Sequence, residues 1–284
     1  MTFGWEGFSL EHPEDWAPAT LSGHRQEGYA RVVSPDRLGI QIRWKAAKLN
    51  VGLKTALDSY LARLRNDAKK ADVPFTSDID QDGSQWTYRY HGVAHGRGAL
   101  FFSKACGRLF FLELFSTHRD SLQTPFRQTL ESFRSFGDDR NELWSVLGLH
   151  FLAPRGLIVE RKDFQAGLIR LHMNVKGVHL RAERWGFAQQ LVAQHGLEAW
   201  SRAVLELPKC PVETSAAGLR FVRNAFWPQS PVEALVKTEP DSNQILTLRV
   251  STRRAEWSPQ WNWLAEPEVG QLRQKEGVEN ASIG

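Results

Sequence analysis

Two histidines separated by three residues, His91-Gly-Val-Ala-His95, have the spacing that lets a helix turn both rings toward one zinc ion. That chemistry needs a helix and usually a Glu beside the first His. Here Gly92 follows His91 and the preceding Gln85–Tyr90 run is strand-like, so the spacing predicts two ordinary histidines at a turn. Asp78-Ile-Asp-Gln-Asp-Gly83 starts like a calcium loop, with oxygens at alternate positions and a glycine for the sharp turn. The position that should supply the bidentate carboxylate is Arg89, whose charge is wrong, so Asp78, Asp80 and Asp82 read as an acidic turn between a helix and a strand.

Gly96-Arg-Gly98 lacks the Lys-Ser/Thr that completes a phosphate cradle and reads as a hairpin turn. Cys106, beside Lys104 and Arg108, has the neighbours of a reactive thiol but no residue placed as its base. No Gly-x-Ser-x-Gly elbow occurs. No catalytic residue, metal ion or cofactor is expected from these residues, and the chain is not expected to be an enzyme.

The candidate binding residues are tryptophans. Eleven are present, and each indole serves a core or an interface equally well. Trp257, Trp261 and Trp263 stand apart in Glu256-Trp-Ser-Pro-Gln-Trp-Asn-Trp-Leu264, where Pro259 argues against a simple amphipathic helix. They either cover an open sheet face or form a patch for a partner.

The bulk composition narrows the classes. With 284 residues, 42% hydrophobic and 24% charged, the chain reads as a globular protein of two domains. Its net charge of +4 is spread along the sequence rather than gathered into a basic face, so nucleic acid is not an expected partner. No run approaches the ~20 apolar residues of a membrane helix, and Met-Thr-Phe-Gly-Trp-Glu lacks the basic and apolar regions of a signal peptide. Two cysteines, Cys106 and Cys210, fit a reducing compartment. A cytoplasmic protein without stable membrane insertion is expected.

The elements that would position these residues follow from periodicity. Tyr29–Val33 and Leu38–Trp44 flank Ser34-Pro35-Asp36-Arg37 and predict a hairpin. Leu53, Leu57, Tyr60, Leu61, Leu64 and Ala68 fall at helical spacing. Strands are expected at Gln85–Tyr90, Ala99–Phe102 and Leu109–Phe115, then a helix carrying Leu122, Phe126, Leu130 and Phe133 on one side. Past a polar break the order returns. A hairpin is expected at 156–160 and 167–173, a long helix from Glu183 to Leu207, and strands at Gly218–Arg223, Val232–Val236 and Ile245–Val250. Phe8, Leu10, Pro13 and Trp16 stand 141 residues before Leu149, Phe151, Pro154 and Leu157, and Ser116-Thr117 is echoed by Ser251-Thr252. The expected organisation is a duplicated domain: copy 1 over 1–137, a linker at 138–143, copy 2 over 144–265 with a divergent C-terminus, and a polar tail over 266–284.

The Phe8-x-Leu10-x-x-Pro13-x-x-Trp16 opening and the Leu130-Glu-Ser-Phe-Arg-Ser-Phe136 ending resemble the PsbP-like and DcrB-like superfamily, to which Eag-type secretion chaperones are related. The resemblance implies an α+β fold of two tandem α/β/α sandwich domains, each an antiparallel sheet with packed helices. It also implies a non-catalytic protein-binding protein, an adaptor or chaperone-like molecule using a surface formed by the two copies. The implied partner is another protein, such as an apolar helix or a secreted effector. The alternatives are a structural subunit of a larger assembly, and a small-ligand binder or enzyme drawing on His91, His95 or His150.

Overall fold

The computed structural model describes residues 1–36, 38–48, 52–117, 122–136, 141–216, 218–224 and 230–252. They form two compact units, one from Met1 to Val146 and one beginning at Leu147. The first unit contains β1 (Thr2–Trp5), β2 (Phe8–Glu11), β3 (Ala17–His24), β4 (Glu27–Val33), β5 (Gly39–Ala46), α1 (Leu53–Lys70), β6 (Thr76–Asp82), β7 (Gln85–His91), β8 (His95–Ser103), β9 (Arg108–Ser116), α2 (Gln123–Ser132), β10 (Arg134–Ser135) and β11 (Glu142–Val146). In the second unit are β12 (Leu149–Ala153), β13 (Ile158–Gln165), β14 (Leu168–Val175), β15 (Val178–Gly186), α3 (Ala188–His195), α4 (Leu197–Leu205), β16 (Val212–Ser215), β17 (Gly218–Arg223), β18 (Val232–Glu239) and β19 (Gln244–Thr252).

The main sheet of the first unit has the order β3-β4-β5-β9-β8-β7-β6, and that of the second β13-β14-β15-β19-β18-β17-β16, strand for strand the same pattern. Four strands of a smaller antiparallel sheet, β10-β2-β1-β11, complete the first unit. Strand accounts for 54% and helix for 19% of the described residues, so the expected α+β fold of helix-packed sandwiches is corrected to a mostly β protein built on three antiparallel sheets. The excess strand comes from segments whose composition hides it. β3 and β6 are sheet edges, exposed along most of their length, so neither carries the alternation that marks a half-buried strand. The helix expected from Glu183 to Leu207 is strand as far as Gly186. Phe187 (φ 61°) then turns the chain into α3, and Gly196 (φ 73°) separates α3 from α4.

Each face of the first main sheet has its own cover. Leu57, Tyr60 and Leu61 of α1 pack on Tyr88, Tyr90, Leu100 and Leu109. On the opposite face Phe8 of β2 meets Trp44 at 5.1 Å, Phe110 at 5.8 Å and Phe133 at 5.8 Å between ring centroids. Sheet thus packs on sheet there, with α2 beside it. Arg108, 2% exposed, ties the two sheets by donating to the carbonyls of Glu6, Gly7 and Arg25 at 2.6, 2.9 and 3.2 Å. In the second unit Trp200 and Leu205 of α4 pack on Phe221, Ala234, Val236 and Ile245.

The repeated opening has a structural counterpart. Phe8, Leu10, Leu149 and Phe151 are all fully buried. The residues before each quartet adopt one two-residue turn: Glu6 and Gly7 at φ 47° and 79°, Leu147 and Gly148 at φ 50° and 78°. Positive φ at both central positions is the geometry that suits a tight hairpin. Residues 142–146 were expected to close a linker and open copy 2. They form β11 instead, which pairs with β1 at Gly4↔Ser145, residues that themselves stand 141 apart. A Cβ on Gly4 would lie 2.9 Å from the Leu143 carbonyl oxygen, so this crossing requires glycine. The Ser-Thr echo does not survive. Ser251 shares its sheet face with Thr247 and the helices, whereas Ser116 lies on the face opposite Glu113 and α1, because side chains alternate along a strand.

Candidate functional site

The residues singled out for chemistry are dispersed and engaged. His91 and His95 face each other across the β7–β8 turn, with Nδ1 atoms 2.8 Å apart, so one ring donates to the other. Asp78, Asp80 and Asp82 are not a turn but lie along one side of β6, and Asp78 pairs with the same Arg89 that spoils the calcium pattern, at 2.6 Å. Among the described residues no group of three or more His, Cys, Asp or Glu could hold a metal ion. Cys106 and Cys210 are free thiols, and the guanidinium of Arg108, the cation expected beside Cys106, is turned onto buried carbonyls. His150 belongs to β12 in the second unit. Trp257, Trp261 and Trp263 lie outside the described residues.

Gly96 and Gly98 sit inside β8 rather than in a hairpin turn, opposite Tyr90 and Tyr88. The missing side chains let both rings lie on the sheet and reach Glu113 on β9. This carboxylate, 1% exposed, accepts from the hydroxyls of Tyr60 at 2.8 Å, Tyr88 at 2.7 Å and Tyr90 at 2.9 Å, and from the Gln41 amide. Tyr29, the fourth and last tyrosine of the chain, donates to Gln41 Oε1 at 3.2 Å. Burial holds the Glu113 carboxyl above its ordinary range, while hydrogen bonds from Tyr88, Tyr60, Tyr90 and Gln41 pull it back down. Burial and then the charge of Glu113 raise the Tyr88 hydroxyl well above its usual value. Four donors fill the acceptor capacity of a carboxylate, so the cluster orders the core and offers no lone pair to a substrate. A single Glu in the otherwise apolar Leu109–Phe115 run, with Tyr88/Tyr90 and Gly96/Gly98 both spaced by two, was the available signal in the sequence.

The second unit centres on a different carboxylate. Glu183 of β15 is fully buried and accepts from Thr247 Oγ1 at 2.8 Å, Trp185 Nε1 at 3.1 Å and the Arg170 guanidinium.

An open cleft of about 850 Å³ lies in the first unit, between the turn that follows β2 and one side of α2. Phe8 and Leu10 anchor β2, and Phe126 and Phe133 anchor α2, all of them buried. Its apolar lining includes Pro13, Trp16, Leu38, Leu114 and Pro125, and its acidic lining Glu11, Asp15 and Glu131. Arg134, also on the lining, has its guanidinium bound to the carbonyls of Glu131 and Phe133 at 2.6 and 2.8 Å. The terminal ammonium donates to the His12 carbonyl at 2.7 Å, and His12 Nδ1 donates to the Pro13 carbonyl at 2.7 Å, which holds the turn. Periodicity finds the apolar side of α2 but not the side, including the buried Thr129, that lines this cleft.

The chain matches no protein-family model, and no curated protein matches it. Among the described residues no helix is long and apolar enough to cross a membrane.

Proposed function

We propose that this chain is a non-catalytic protein-binding protein, adaptor- or chaperone-like, that holds an apolar, basic segment of a partner in the cleft between the Pro13–Trp16 turn and α2. The observation that carries this reading is the cleft itself: a lining that combines the edge of the mostly buried Trp16 and two prolines with three carboxylates, Glu11, Asp15 and Glu131, against the cations of Arg134 and Met1. Anchors of that kind supply binding energy where they are desolvated, and an acidic rim steers and selects a cationic partner. The sheet edges favour such a cleft over strand addition. β3 and β13 carry bulges at Pro18/Thr20 and Val159/Arg161, β6 is acidic, and β16 is only four residues long, all devices that block pairing with another chain. We place the protein in the cytoplasm, a reading supported by its two unpaired cysteines.

The test is titration of the full chain with two synthetic amphipathic peptides of equal length, one of Leu and Lys, one of Leu and Glu, followed by fluorescence anisotropy. Binding of the Lys peptide alone, weakened at least tenfold by Glu131→Lys or Trp16→Ala in a protein that still melts cooperatively, supports the reading. Binding of neither peptide, equal binding of both, or affinity unchanged by both substitutions rejects it.

A further inference from the structure

We propose that the second main sheet carries, beside the end of α4, a binding site for a phosphate-type oxyanion, centred on Arg249 with Arg181, Arg161 and His172 in line beside it. Strand register makes the row. Arg161 pairs with His172, His172 with Arg181, and Arg181 with Arg249, so four basic side chains run straight across β13, β14, β15 and β19 on one face. On this face α4 reaches Arg181, whose Nη2 donates to the Val204 carbonyl at 2.5 Å, and from Trp185 and Ile245 the helices extend over β18 and β17.

Like charges directly opposite each other destabilise a sheet, and the neighbouring acids are engaged, save the buried Oδ2 of Asp163. Asp163 pairs with Arg161 at 3.0 Å, Glu206 with Arg181 at 3.3 Å, and Glu183 with Arg170 and Arg181. Glu160, at the bulge of β13, engages Asn174. Among the described residues Arg249 has no hydrogen-bond or ion-pair partner, and its Nε is buried. Arg223 of β17, on the same face, is in the same condition. Burial, then the charge of Arg181, pulls Arg249 below the ordinary guanidinium range, against the charges of Glu206 and Glu183. Burial, then Arg170 and Arg181, lowers the His172 imidazole, against Asp163. A half-buried, unpaired guanidinium beside a second one is costly until an anion fills the gap. Guanidinium forks match the geometry and charge of a phosphate group better than that of a halide. This inference goes beyond the peptide cleft and is independent of it.

The experiment measures melting of the full chain in inorganic phosphate, in a nucleoside monophosphate and in the corresponding nucleoside, each against chloride at equal ionic strength. Calorimetric titration supplies the affinity. Saturable protection by phosphate is expected, and a monophosphate that binds more tightly than both phosphate and nucleoside would assign the group to a small-molecule carrier. Arg249→Gln should weaken binding at least tenfold and, in chloride, melt at the same temperature or higher, because it removes a buried cation that has no partner. The exposed Arg161→Gln should weaken binding severalfold in a fold that is intact. No saturable response to either phosphate compound, affinity unchanged in both variants, or a lower melting temperature for Arg249→Gln in chloride overturns the proposal.

Discussion

Tyr88 lies over Gly98 so closely that a Cβ added at residue 98 would sit 2.3 Å from the tyrosine ring. Gly98→Ala must therefore push Tyr88 off Glu113 or bend β8, and the expected loss is about 1–3 kcal/mol of unfolding free energy in urea. Gly83→Ala meets nothing within 4 Å, and its cost comes only from φ +57°, on the order of 1 kcal/mol. A Gly98→Ala loss no larger than that of Gly83→Ala would show that the ring has room to move.

The buried carboxylate makes stability depend on pH in a set direction. Glu113 is raised above its ordinary value of 4.5 in the folded chain. Its contribution is fully present below that value and is lost as pH rises through the higher folded value. Glu113→Gln removes the titration. The variant should gain on the native chain as pH rises from about 4 toward neutrality, measured as unfolding free energy at a series of pH values. Parallel pH profiles for the two proteins would contradict this assignment.

Within the same cluster the hydroxyls should differ in worth. Tyr88→Phe leaves a buried carboxylate oxygen short of a donor and should cost about 1–3 kcal/mol. Tyr29→Phe removes only a partly buried bond to Gln41 and should cost at most about 1 kcal/mol. Chemical denaturation of both variants under one condition decides the order.

Burial should also rank two arginines. Arg108→Met strands the buried carbonyls of Glu6 and Gly7 and is expected to cost about 3 kcal/mol or more. Arg89→Ala breaks an exposed pair with Asp78, worth about 0–1 kcal/mol and less in high salt. A small effect at Arg108 in thermal melting would mean that the hairpin of β1 and β2 is held by its aromatic contacts alone.

The turn at Leu147 is strained by its residue type. Leucine at φ 50° costs on the order of 1 kcal/mol relative to a residue that tolerates the left-handed region. Leu147→Asn, which creates the Asn-Gly pair preferred in such turns, should raise the denaturation midpoint. An unchanged or lower midpoint would show that the half-buried leucine side chain contributes more than the backbone strain removes.

Local periodicity carried much of the element reading. The expected hairpin at Tyr29–Val33 and Leu38–Trp44 is β4 and β5, and the helix expected from Leu53 is α1, because neighbouring side chains must alternate or recur at helical spacing to reach one core. Edge strands escaped that reading, since β3 and β6 bury too little for alternation to matter. The helix-packed fold class failed with them: strands read as polar connections or helix left the helices with too large a share.

What the amino-acid order determined by itself was the placement of apolar residues along the chain, including the quartet that returns after 141 positions, because burial of a side chain depends first on its own type and its near neighbours. What only the tertiary structure decided was which distant residues meet. Gln41 comes against Glu113, and Arg181 against Arg249, through the pairing of strands far apart in sequence. A shift of one residue in either register would turn every side chain of a strand to the other face, so these polar clusters exist only once the whole sheet has closed.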